Sequence, residues 1–271
     1  MISLSTRHWS FLGLFVVVVV AMLSGFRPDI PVTSETRKLF DYIDSLPSGS
    51  VLVVSFDHEA SALPEIRPLA QAVVRHAFRK GHRLIGLALM AEGTVIGYRL
   101  MEQTAREFDR TYGRDYVYLG FKPQNIATML SMGESFSQTF PQDYFGAPYD
   151  QLDLMKGVND YRQVAAVISI TDGNMPTYWI EYAGARFGVR ICSAMTAVMM
   201  TQFDPYVSSG QLYSLIGGLR GAAEYERLLA VGGGGARGML AQSASHIYII
   251  VLVIIGNVLY FRTGRKGRGT V

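Results

Sequence analysis

Two uncharged apolar runs, one near each end of the chain, limit its architecture more than any other feature. Residues 10–26 read SFLGLFVVVVVAMLSGF and residues 247–261 read IYIIVLVIIGNVLYF. Each is slightly short of the ~20 residues that span a hydrocarbon core, and flanking His8, Trp9, His246 and Tyr260 extend them. The alternative for the first is a cleaved signal peptide. Its apolar core is long for that role, and residues 21–25 make a poor small-residue cleavage site. The sequence therefore predicts two transmembrane helices, at 10–26 and 246–261.

Basic residues set the orientation. The tail 262–271 carries Arg262, Arg265, Lys266 and Arg268 and no acid, a cytoplasmic signal. The first run is ambiguous, with Arg7 before it and Arg27, Arg37 and Lys38 after it. Two spans put both termini on one side. The expected layout is a cytoplasmic stretch 1–9, a span at 10–26, an extracytoplasmic domain over 27–230, a Gly-rich tether over 231–245, a span at 246–261 and a cytoplasmic tail over 262–271.

Between the runs the apolar pattern changes to a βα rhythm. VLVVSFD from Val51, RLIGLAL from Arg83, DYVYLGF from Asp115, VAAVISI from Val164 and VRICSAMTA from Val189 are short strand-like runs. Between the first two, Leu63, Ile66, Leu69, Ala70, Val73, Val74, Ala77 and Phe78 recur at helical spacing, with Pro64 in the first turn and Gly81 past the end. Helices are likewise expected from about Val95 to Phe108, from Ile126 to Phe140, and along MPTYWIEYAGARFG from Met175. Continuous apolar strands are covered on both faces, so the alternation predicts a mostly parallel sheet with right-handed crossovers. The fold class is α/β, a Rossmann-like or flavodoxin-like three-layer domain.

In such sheets ligands collect at the carboxyl ends of the strands. There the sequence places Asp57, His58 and Glu59, then Glu92, then Asp172 and Asn174, then Ser193. Oxygen donors of this kind could hold a divalent metal or pair a general base with a nucleophile. The same residue types also cap helices and form turns. No complete catalytic motif supports the first reading. His58-Glu59 is followed by Ala62 where a zinc helix needs a second histidine, and neither a G-x-S-x-G elbow, a P-loop nor a G-x-G-x-x-G turn occurs.

Composition excludes several classes. One cysteine, Cys192, excludes an intramolecular disulfide framework and a thiolate zinc cluster. A net charge of +3, mostly in the tail, is too small to argue for nucleic acid. The segment from Leu215 to Glu226 is the most unusual. Read as part of a last helix over 211–229, it pairs Gly217 with Gly221 and Gly218 with Ala222 to give one flat side. Such a flat surface admits close approach of its own sheet or a second subunit. Asn257 inside the second apolar run needs a partner, either its own backbone or a neighbouring helix.

These features favour a non-catalytic subunit or scaffold of a membrane complex, partnered by other membrane proteins or by itself. The rivals are a hydrolase or metal-dependent enzyme built on the strand-end acids, and a solute-binding accessory domain of a transport or sensing system. Acids clustered within metal-ligand reach would favour the enzyme, and separate capping bonds the scaffold.

Overall fold

The computed structural model describes residues 6–26 and 29–266, which form two compact units: residues 30–235, and the two ends of the chain. Residues 1–5, Arg27 and Arg268 of the orientation argument lie outside the described residues.

Helix α1 (Thr6–Leu23) opens the chain. The domain begins with α2 (Ser34–Ser45), capped by Thr33, whose side chain accepts from the Thr36 amide. Then follow β1 (Val51–Asp57), α3 (Leu63–Arg79), β2 (Arg83–Ala88), α4 (Gly93–Glu107), β3 (Tyr116–Phe121), α5 (Asn125–Glu134) and the short α6 (Phe136–Thr139). The aperiodic stretch after α6 contains single 3₁₀ turns at Tyr149–Gln151, Asp153–Met155 and Tyr161–Gln163. Next come β4 (Val164–Thr171), α7 (Met175–Tyr178), a π-helical turn at Trp179–Gly184, α8 (Ala185–Phe187), β5 (Ile191–Met195), α9 (Met200–Ser208), β6 (Ser214–Gly217), α10 (Gly218–Leu228) and α11 (Gly234–Lys266).

All six strands are parallel, in the order β3-β2-β1-β4-β5-β6. This is the Rossmann-like order, whose direction of winding reverses between β1 and β4. The run VLVVSFD is buried along its whole length, because β1 is central and covered on both faces. Leu52, Val54 and Phe56 face the layer of α3, α4 and α10, while Val51 and Val53 face the layer of α5 and α7.

The last part of the domain differs from the sequence expectation. The helix read over 211–229 is a four-residue strand, β6, followed at once by α10. Gly217 ends the strand and Gly218 makes the turn at φ +65°, so Gly217 and Gly221 share no helix face. A strand this short carries too few residues to show a period of two. Its small residues fit inside the domain. A Cβ on Gly217 would meet Met200 Sδ at 2.3 Å, and one on Gly218 would meet Ala197 Cβ at 2.9 Å. Gly221 lies against Ile216 and Leu69, and Ala222 is fully buried.

The glycine run read as a flexible tether is packed. A Cβ on Gly233 would meet Glu226 Oε1 at 2.0 Å, and one on Gly235 would meet the Ala223 backbone nitrogen at 2.7 Å. The buried Glu226 carboxylate accepts the Gly235 amide at 2.8 Å and so caps the first turn of α11. On the other side of α10, Glu224 accepts the Thr33 amide at 3.0 Å and hydroxyl at 2.6 Å, and Arg227 donates to the Ile30 carbonyl. Both limits of the domain, at 30–33 and 233–235, are therefore fastened to α10. Glu226→Ala should release the start of α11 by about 1 kcal/mol, read as faster amide exchange at 233–237; unchanged exchange would deny the cap.

In the end unit, α1 lies antiparallel beside α11. Tyr248 donates to the Ser10 carbonyl at 3.1 Å over Gly13, where a Cβ would meet the Tyr248 oxygen at 2.1 Å, and Val20 and Ala21 share a groove with Leu240 and Ala244. Among the described residues one helix is long and apolar enough to cross a membrane, the 29 residues Gly234–Arg262 with a mean hydropathy of 2.0 in its most apolar window. The apolar part of α1, Arg7–Leu23, is shorter. The whole 18-residue helix is about 27 Å long, under a ~30 Å hydrocarbon core, so of the two spans expected, one has a helix long and apolar enough to cross. Asn257 donates to the Val253 carbonyl of its own helix at 2.9 Å.

Candidate functional site

The carboxyl edge of the sheet, at the β1/β4 reversal, is where ligands of this topology bind. Asp57 ends β1 and is fully buried. Its carboxylate accepts the Ser55 hydroxyl at 2.5 Å and the Leu89 amide at 2.6 Å, and the Trp179 indole N–H faces it without closing to full hydrogen-bond geometry. Burial pushes this acid up to about 6, against the opposing pull of the Ser55 and Leu89 donors. An acid so placed could act as a base near neutral pH, but here it is enclosed. It joins the end of β1 to the chain leaving β2.

The next two residues turn over the edge. His58 is 1% exposed. Its Nδ1 lies 3.2 Å from the Glu59 carbonyl, so Nδ1 carries the proton, and burial lowers its affinity for a second one. The Glu59 side chain is exposed, while its amide donates to Asp172 Oδ2 at 3.0 Å. That bond runs directly across the β1/β4 reversal. Ala60 donates to Glu92 Oε2 at 3.4 Å. Glu65, which the sequence reading passed over, accepts the Ala197 amide at 2.7 Å. Its position in the first turn of α3 was the available signal, because helix N-termini favour acids.

The remaining predicted residues stand apart. Asn174 opens α7 and accepts from Gln202 at 2.8 Å. Ser193 is buried on β5 and donates to the Ser169 carbonyl at 3.1 Å. It is in register with Ser169, which is in register with Ser55, giving a row of small polar side chains on the face that also carries Asp57 and Trp179. The structure thus brings the Glu59 backbone to Asp172 and the Ala60 backbone to Glu92, and it keeps Asp57 inside. Among the described residues no group of three or more His, Cys, Asp or Glu side chains is placed to hold a metal ion. The divalent-metal expectation for Asp57, His58, Glu59, Glu92 and Asp172 therefore lacks a ligand set.

Cys192 is buried in β5, and burial raises its thiol to about 12, which makes it an inert core residue. No family model matches this sequence, and neither a curated protein sequence nor a solved structure matches it.

Proposed function

We propose that this chain is a membrane-anchored, non-catalytic α/β subunit that serves as a scaffold in a membrane complex. The observation that carries the reading is the use made of the strand-end acids. Asp57, Asp172, Glu92 and Glu65 each accept a backbone N–H from a neighbouring loop. A carboxylate engaged this way stabilises a loop and is poorly placed to act as a base or ligand. At the chain reversal, where the topology offers a crevice, the Glu59–Asp172 bond ties the two sides together.

The anchor is α11, and the basic residues Arg262, Arg265, Lys266 and Arg268 favour a cytoplasmic tail. The domain then lies outside the cytoplasm whether or not α1 also crosses, and a crossing α1 would bring the N-terminus to the tail's side. The packed contact between Tyr248 and Gly13 supports a paired insertion.

The full chain extracted in neutral detergent should run in native mass analysis with a second subunit, its own or another, and without stoichiometric metal. A bare monomer would reject the scaffold, and bound metal lost on Asp172→Asn would favour the enzyme. Val198→Cys, at a side chain 82% exposed on the domain, should label with an impermeant thiol reagent on intact cells. Labelling only after lysis would reverse the orientation.

A further inference from the structure

The opposite, amino edge of the sheet is open. There the chain between α8 and β5 separates two recesses, of about 290 Å³ and about 350 Å³, and Gly188, Val189 and Arg190 line both. Arg190 is the chemical centre. Its guanidinium carbon lies 4.4 Å from the Tyr42 ring centre and 4.3 Å from that of Tyr213. The two rings are 5.0 Å apart with planes tilted by 54°, so the cation rests in an aromatic V. Tyr42 is fixed by its hydroxyl, which donates to the Ala165 carbonyl at 2.7 Å. Lys38 adds a second cation 4.5 Å from the Tyr213 ring.

Among the described residues neither Arg190 nor Lys38 forms an ion pair. The smaller recess is lined by Arg190 and Arg162 with Tyr42, Tyr161 and Phe187, and by no acid. Arg162 is already held by Asp160, at 2.6 Å from Nη2. Arg190 is free. A guanidinium stacked on rings keeps its N–H donors in its own plane, where their fork matches two oxygens of one anion. Contact with the two rings restricts the guanidinium before a ligand arrives, which lowers the cost of binding.

We infer that this recess binds an oxyanion, specifically the phosphate of a monoester, with Arg190 taking two oxygens and the aromatic wall taking the body of the molecule. A recess near 300 Å³ is at the lower end of small-molecule sites. The inference does not depend on the scaffold reading, because the two edges of the sheet are tested by different residues.

The test is calorimetric titration of the full chain in neutral detergent at low ionic strength with phenyl phosphate, inorganic phosphate and soluble dihexanoyl phosphatidic acid. Saturable binding is expected. Tighter binding of phenyl phosphate assigns a soluble ligand, and tighter binding of the phosphatidic acid assigns a lipid head group. Arg190→Gln should lose about tenfold or more in affinity, the worth of a charge-assisted hydrogen bond. Arg190→Lys, which keeps charge and stem but not the fork, should also weaken binding, and Arg186→Gln should not. No saturable binding by any probe, or binding that Arg190→Gln leaves unchanged, overturns the site. Should Arg190→Gln fail to fold, unchanged affinity in Arg190→Lys overturns it instead.

Discussion

Replacing Gly93 by alanine should cost the domain about 3 kcal/mol, the upper end of overpacking penalties, and replacing Gly97 should cost less. A Cβ on Gly93 would stand 1.9 Å from the Phe56 carbonyl oxygen and 2.8 Å from its carbon. That obstacle is backbone of the central strand β1, paired on both sides, so it has no room to retreat. A Cβ on Gly97 would meet the Phe56 ring at 2.5 Å, a side chain that can shift slightly although it is fully buried. Alanine also gains about 1 kcal/mol over glycine inside a helix, which offsets part of the cost at Gly97 and little at the first residue of α4. Gly173→Ala is the control, since nothing lies within 4 Å of its added carbon. Urea unfolding of the full chain in detergent, followed by near-ultraviolet circular dichroism, should rank the variants Gly173, Gly97, Gly93 from most to least stable. If Gly93→Ala matches Gly173→Ala, α4 does not pack on β1 as described.

The α/β class was legible because β1 to β5 are continuous buried runs, and burial on both faces leaves a mark in composition that needs no partner to read. The strand β6 was not, because SLIG is four residues long and its glycines run straight into α10. The tether failed for a related reason. Flexible linkers and tightly packed turns both select glycine, and only the position of Glu226 and Ala223 in space separates them. Among the strand-end acids, the sequence places Asp57 and Glu59 two residues apart with the same chemistry. Burial of one and exposure of the other follow from where β1 stops: Asp57 is its last residue and points inward beside Ser55, while Glu59 lies beyond the strand in the exposed loop. Arg190, Tyr42 and Tyr213 carry no local pattern at all, since three distant elements bring them together.

The charge state of Asp57 should be readable as stability. Its affinity for the proton is raised in the folded protein to about 6 from the ordinary 3.8, so the folded state holds a proton that the unfolded state has released. Its contribution is then fully present below about pH 4 and is lost as pH rises through 6. The total is about 3 kcal/mol at roughly 1.4 kcal/mol per pH unit. His76 runs the other way. It is buried against Phe40, with Nδ1 2.8 Å from the Tyr225 hydroxyl, and burial lowers it to about 4. Its contribution is lost as pH falls from about 6.5 through 4. The two slopes oppose one another in the same window and mask each other in the native chain. Asp57→Asn should separate them, because the amide oxygen can still accept from Leu89 and its nitrogen can donate to Ser55 without any titration. The stability of Asp57→Asn minus that of the native chain should climb by about 3 kcal/mol between pH 4 and pH 7. Asp57→Ala should instead lose about 3 kcal/mol near pH 5, having left the Leu89 N–H buried without an acceptor. A flat difference between the asparagine variant and the native chain across that range would mean that the donors at Ser55, Leu89 and Trp179 hold the carboxylate ionised. Asp57 would then be a charged group at the carboxyl edge of the sheet, and the enzyme reading would regain its base.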